Sequence, residues 1–255
     1  MISRYEAIID GNPLSHIHPS IIVHDIEHRP SDISYTTALR GNLRGSVVTS
    51  EAQEGSSVTI YFELHIYSIL ERQRILQEVQ KWASGSVLET NDRVGQQLYI
   101  RCTRFPRIES AMRWTEPLTV EFTAFEIPFW QEKQPAVLTL TGASDTGTLF
   151  VPGNIWNSYV EITATPTGTL NTLTLTVGDT EISFTDLGAT ASNPLTITYN
   201  DKLIQSIKVG TTSALSKRTA ASSDDLLAKC GEVTDFGITA GVSTAVEFRA
   251  KGMWL

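Results

Sequence analysis

"TVEFTAFEIPFWQEKQPAVLTL", residues 119–140, holds the reading of the fold. Leu118, Val120, Phe122 and Ala124 alternate with Thr119, Glu121, Thr123 and Phe125, the period of a strand with one buried face. The alternation ends in Pro128-Phe129-Trp130. Gln131, Glu132, Lys133 and Gln134 supply no core, and Pro135 has no amide for a ladder. Alternation then resumes. A polar stretch between two strand patterns, closed on its first side by bulky aromatics, marks a junction between domains.

Composition shifts at the same place. Residues 1–132 hold 11 arginines, one lysine and 17 acids, whereas residues 133–255 hold six lysines, two arginines and 11 acids. All five histidines lie before the junction, and threonine is dense only after it, as in "TGTLNTLTLTVGDT". We therefore expect domains at 1–132 and 137–255 joined by a linker at 133–136.

The first part reads as α+β. "SVTIYFELHIY" places Val58, Ile60, Phe62, Leu64 and Ile66 on one face. A helix follows, opened by a Ser68/Glu71 capping box, with Leu76, Val79 and Ala83 as its apolar stripe beside Ile75 and Trp82. Gly85 is suited to stop it in a left-handed conformation. "VLETNDRVGQQLYIRC" reads as a hairpin turning at Asn91-Asp92. The second part is a series of short strands, "YVEITATPTG", "LTLTVGDTEISF", "NPLTITYNDK" and "TAVEFRAKGMW". Gly178-Asp179 makes one tight turn, and "SSDDLLAKCG" is a short helix capped by Ser222 or Ser223. Many short strands at this spacing imply a β-sandwich.

At 255 residues and 41% hydrophobic, the chain is long enough to bury real cores. A net charge of −8 speaks against a phosphate-binding surface and so against specific nucleic-acid binding. No apolar run approaches the roughly 20 residues of a membrane span, and no membrane insertion is expected. The opening "MISRYEAIIDGNP" has neither signal- nor transit-peptide character, so synthesis in a cytoplasm is expected. Cys102 and Cys230, one on each side of the junction, read as free thiols.

Catalytic and metal motifs fail for chemical reasons. Asp145-Thr146-Gly147 matches an aspartic-protease triplet but lacks the second carboxylate that would share its proton, so it reads as a turn. Asp235-Phe236-Gly237 has none of the kinase elements that would accompany it. His16, His18, His24 and His28 are the best metal candidates, yet Pro19 interrupts the strand that would align them. We assign no catalytic residue, cofactor or metal ligand.

Three stretches of the first part, "VTIYFELHIYSILERQRILQEVQKWA", "LETNDRVGQQLYIRC" and "WTEPLTVEFTAFEIPFW", resemble in their order the distal tail proteins (Dit) of long non-contractile-tailed bacteriophages. "RTAASSDDLLAKCGEVTDFGIT" and "VEFRAKGMWL" resemble that family's C-terminal domain. The resemblance covers nearly all of the chain from about residue 40 and is weakest over residues 1–35. It implies a mainly β fold with one main helix: a tail-tube-like β-sandwich plus α-helix, then a galectin-like β-sandwich. It also implies a structural protein of the virion tail tip, not an enzyme. Six copies would form a ring joining the tail tube protein to the tail-tip hub, with the tape measure and receptor-binding proteins as further partners. Residues 1–132 would carry ring assembly, residues 137–255 would be monomeric, and an acidic wall would suit a channel that passes DNA. The alternative is a carbohydrate-binding module for the host cell wall, with Trp156 and Tyr159 as its aromatic platform.

Overall fold

The computed structural model describes residues 5–30, 33–39, 46–53, 55–106, 117–155, 157–200 and 203–255, with backbone alone at 33–39 and 46–53. The chain divides into two compact units, Met1–Trp130 with Leu255, and Gln131–Trp254.

The first unit contains β1 (Ala7–Ile9), β2 (Asn12–Pro13), β3 (Ile21–Arg29), β4 (Ile33–Leu39), β5 (Ser46–Gln53) and β6 (Ser56–Leu64). Helix α1 (Ile69–Trp82) follows, then β7 (Val87–Thr90), β8 (Gln96–Tyr99), β9 (Arg101–Arg104) and β10 (Leu118–Ala124). Alternation decides the central pair. Val58, Ile60, Phe62 and Leu64 of β6 are buried together with Leu118, Val120, Phe122 and Ala124 of β10. The two strands run antiparallel, with Val120 opposite Ile60. They form the middle of a sheet ordered β3-β6-β10-β9, while β2, β1, β7 and β8 lie side by side in a second sheet.

Helix α1 begins where the capping residues place it, with Ser68 Oγ accepting from the Glu71 amide at 3.4 Å. Ile75, Leu76, Val79 and Trp82 are its buried stripe. Trp82 meets the edge of Phe122 with centroids 6.2 Å apart, and its Nε1 donates to the Asn12 carbonyl at 2.7 Å. The indole thus satisfies its polar atom while burying its rings. Gly85 stops nothing by a left-handed turn, since it is absent from the positive-φ glycines. It is needed for space: a Cβ there would run into Ile9 and the Asp10 carboxylate.

A three-residue strand, β11 (Trp130–Glu132), spans the division, and Lys133–Pro135 lead into the second unit. That unit is built from β12 (Ala136–Phe150), β13 (Asn157–Pro166), β14 (Leu173–Val177), β15 (Thr180–Phe184), β16 (Leu195–Tyr199), β17 (Gln205–Val209), β18 (Thr212–Ser213), β19 (Leu227–Lys229), β20 (Val233–Ala250) and β21 (Met253–Trp254). Val177 pairs with Thr180 across a two-residue turn, where Gly178 takes φ 52°. A turn that tight needs a positive φ, which glycine adopts without strain.

The two long strands organise this unit. Residues 236–240 of β20 pair with β14, and residues 244–250 pair with β13. On its other side β20 pairs with β12 over residues 233–239 and 244–250, the register shifting between Gly142 and Ser144. The same two strands therefore serve both layers of the sandwich. One layer runs β15-β14-β20-β12, the other β12-β20-β13-β16-β17-β18. Phe236 and Phe248 meet in the core between them, ring centroids 5.0 Å apart.

The expected helix at 222–231 does not form; Leu227–Lys229 is a strand paired with β13. Leu226 and Ala228 are fully buried while Lys229 is exposed, so the sandwich core imposes a period of two on a segment with helical local preference. Ser222 and Ser223 bond to a strand instead of capping a helix. Ser222 Oγ accepts from the Ser183 amide at 2.9 Å, and the Ser223 amide donates to the Glu181 carbonyl at 2.7 Å.

Candidate assembly interface

In the first unit the sheet β3-β6-β10-β9 has open edges at β3 and β9 among the described residues. The two edges carry opposite charge. On β3, Asp25 is exposed and Glu27 half-buried; on β9, Arg101 and Arg104 are exposed. Three of the four have a side-chain partner: Glu27 pairs at 2.9 Å with Arg29 at the end of the same strand, Arg104 with Glu121 at 2.9 Å, and Arg101 with Glu126, while Asp25 accepts the Ile26 amide. Exposed pairs of this kind contribute about 0–1 kcal/mol each, so they exchange partners at little cost. The arginine hydrogen bond also holds the Glu27 carboxyl below its ordinary range.

Strands β4 and β5 pair only with each other among the described residues. A two-stranded hairpin on its own is marginal in water, so one standing outside both sheets invites a neighbour. A patch of large apolar side chains lies at the start of α1, where Tyr67, Ile69 and Leu70 are strongly exposed.

Trp130 is buried against the first unit. The His28 ring meets it edge-on at 5.3 Å and the Arg93 guanidinium lies 5.2 Å from the centroid. His28 Nε2 lies 2.8 Å from Asp92 Oδ2. Burial works against ionisation of Asp92, but its hydrogen bonds, that with His28 among them, hold its carboxyl below the ordinary value. Phe129 is half-buried. The Pro-Phe-Trp ending of the strand pattern is thus a local lock of the first unit.

The candidate histidines are dispersed by the backbone. His18 Nδ1 bonds to Ser20 Oγ at 2.6 Å. His24 sits at the bulge between Val23 and Asp25, and its Nε2 lies 3.2 Å from Glu63 Oε2. His65, which the metal reading left aside, reaches the same oxygen at 2.8 Å. Among the described residues no group of three or more His, Cys, Asp or Glu is arranged to hold a metal ion. Asp145 is not in a turn between strands. It lies at the bulge within β12, where it accepts the Thr141 and Thr146 amides at 2.9 Å each. Phe236 of the Asp-Phe-Gly triplet belongs to the core.

Of the two aromatics proposed as a sugar platform, Trp156 lies outside the described residues. Tyr159 is half-buried, its ring tilted against Tyr199 with centroids 4.9 Å apart. A cleft of about 320 Å³ is lined by Leu187, Val209, Thr212, Ser213 and Lys217 among others, with no aromatic ring. Cys102 and Cys230 are free, and burial raises both thiols above their ordinary value.

Comparison with solved structures gives the fold a precedent. The Dit protein of phage SPP1, described as a paradigm of the hub adsorption apparatus of phages infecting Gram-positive bacteria, superposes with TM-score 0.64 at 13% identity. The match spans 97% of this chain and 98% of that one. The fold is that of a phage Dit protein. A chain of the phage P2 baseplate in its activated conformation matches with TM-score 0.50 and 10% identity, over 99% of this chain and 98% of that one. No protein-family model and no curated protein matches the chain in sequence. The Dit-like fold is mainly β with a single α-helix among the described residues, in agreement with the order of motifs in the sequence. What sequence reasoning missed is the pair of oppositely charged edges. The signal for them, Asp25 and Glu27 in one strand pattern and Arg101 and Arg104 in another, is on the page but silent about which strands end the sheet.

Proposed function

We propose that this chain is a structural component of a bacteriophage tail tip, one that self-assembles into a ring, of six copies, between the tail tube and the hub below. The observation that carries the reading is the four-stranded sheet of the first unit, open at an acidic edge β3 and a basic edge β9. Head-to-tail contacts join two different surfaces of identical copies, and where the rotation between copies closes they form a ring. Strand β9 of one copy beside β3 of the next would satisfy both edges' backbone groups and bring Arg101 and Arg104 toward Asp25 and Glu27. Such pairing also removes the exposed edges that otherwise lead to aggregation. The β4–β5 hairpin would be covered by the neighbouring copy. The overlap with a Dit protein over nearly the full length of both chains supports the same reading.

A scaffold of this kind works by geometry, positioning the tube above and the hub and receptor-binding proteins below, and we assign it no catalytic step. Its place is the distal end of the virion tail. Native mass spectrometry of the full chain tests the proposal. A six-copy species that forms with rising concentration is the expected result; a monomer at every concentration would overturn it.

A further inference from the structure

Among the described residues of the second unit's sandwich, the three-residue β19 has its Leu227 and Lys229 amides taken by the Thr180 and Thr234 hydroxyls, and of the other three edges one is covered and one is very short. Beside β15 runs the segment 219–223, whose Thr219 and Ser223 amides donate to the Ser183 and Glu181 carbonyls at 2.8 and 2.7 Å. The hydroxyls of Ser222 and Ser223 accept from the Ser183 and Glu181 amides, at 2.9 and 3.1 Å. The other layer tapers to β18, only two residues long. The third edge is β12. It is 15 residues long and pairs with β20 alone, so the alternate residues whose backbone groups face outward have no strand partner among the described residues.

Edges are ordinarily blunted by charge, proline or a bulge. Strand β12 has one such device, the bulge at Gly142–Ser144. It carries one charge, Asp145, whose two oxygens are already taken by the Thr141 and Thr146 amides. On either side of the bulge the edge is neutral. Val137 is 50% exposed at one end, and Phe150 is 54% exposed at the other, directly across from Val233 at 64%. On the inward side Leu138 and Leu149 pack on the core but are only partly covered. The edge thus offers free backbone groups and uncovered apolar surface along the same line.

We propose that the outer edge of β12 is a docking site for an extended, uncharged segment of a different polypeptide, added as a further strand with its apolar side chains over Leu138 and Leu149. A charged strand would lose hydration there and find on β12 itself only Asp145, already spent on the Thr141 and Thr146 amides. Exclusion of a second copy rests on the ring reading. In that ring β3, β9 and the β4–β5 hairpin of each copy are already engaged by its neighbours, and in the sandwich β15 is covered and β18 is two residues long, so no strand of a second copy is left for β12. Pairing β12 with itself needs a two-fold axis, which a simple ring lacks. Backbone hydrogen bonds would give such a contact its affinity, and the alternate side-chain positions its selectivity.

Hydrogen exchange on the full chain tests this, with a short peptide of alternating threonine and leucine, flanked by lysines beyond the strand, as the probe. The Thr141 amide bonds to Asp145 instead of the ladder, so amides of the same parity, Val137 and Thr139, face outward. Beyond the bulge Thr146 sets the same parity for Thr148 and Phe150. The peptide should slow exchange in residues 136–150 by about tenfold. Thr139→Pro with Thr148→Pro should abolish the slowing while leaving the melting temperature unchanged, since prolines there spare the β20 ladder. No slowing, or equal slowing in the proline variant, would overturn the proposal. So would edge amides already protected in the protein alone as a dimer forms, which would name the second copy as occupant. Native mass spectrometry of the same samples separates the two readings: a persisting ring with an unresponsive edge refutes only the docking site, whereas a chain that never assembles refutes the ring.

Discussion

The two units leave strand edges open in different ways. In the first, β3 and β9 carry charges of opposite sign, of which Glu27, Arg101 and Arg104 are held in exposed local pairs. In the second, β12 is a long edge with a single carboxylate that is spent on its own bulge. Charged edges discriminate: acid meets base in one orientation, and like meets like at a cost, which suits contact between identical copies in a fixed rotational order. A neutral edge discriminates through the pattern of side chains laid along it, which suits a partner of another sequence. One chain thus carries two kinds of edge, and they differ in how they should respond to salt and to mutation.

The largest effect expected concerns the charged edges. Reversing Arg101 and Arg104 to Glu should raise the concentration needed for assembly by at least about a hundredfold, measured by sedimentation. Adding Asp25→Arg and Glu27→Arg should restore assembly. Rings that form unchanged in the reversed variant would show that β9 does not lie against β3. Next come the two cores. Trp82→Ala removes the contact with Phe122 and the bond to Asn12, and Phe248→Ala removes the partner of Phe236. Each should cost about 3–5 kcal/mol. Denaturant unfolding should show two transitions, the first variant moving one and the second moving the other. A single transition shifted alike by both would mean that the units unfold as one.

A smaller loss, about 1–3 kcal/mol, is expected for Gly85→Ala, which overpacks the site against Ile9 and Asp10. It should fall on the same transition as Trp82→Ala. Least of all, Ser222→Ala should cost about 1 kcal/mol by leaving the Ser183 amide without its acceptor. It should also speed hydrogen exchange along β15, making that edge resemble β12. An unchanged exchange rate there would show that segment 219–223 closes the edge through its backbone alone.

Much of the first unit was legible because its signals are local. The alternation of β6 and β10, the Ser68 cap and the stripe through Trp82 depend on neighbours two to four residues apart. The same holds for the Gly178 turn in the second unit. The errors lie where distant partners decide. "SSDDLLAKCG" has caps and leucines fit for a helix, but the sandwich core and β13 draw Leu227–Lys229 into a strand. Asp145-Thr146-Gly147, without a second carboxylate, reads as a turn, yet β20 pairs with β12 on both sides of it across a register shift. Gly85 has the right position for a helix stop, but the reason for it lies in Ile9 and Asp10 on β1 and just beyond it. Edge charges behave likewise: the residues are readable singly, and which strands end a sheet is a property of the whole.

The pairing of β12 with β20 also sets an order of events in synthesis. Phe150 must wait for Val233, and Ala136 for Ala250, before either has its ladder partner. During translation β12 leaves the ribosome long before the strand that will hold it. Neither layer of the sandwich can close in the meantime, because β20 is the central strand of both. Contacts this distant along the chain fold slowly. The nascent second unit therefore spends its whole elongation with both sides of β12 unpaired, a period in which a chaperone, or the partner proposed for its outer edge, would find the strand already waiting.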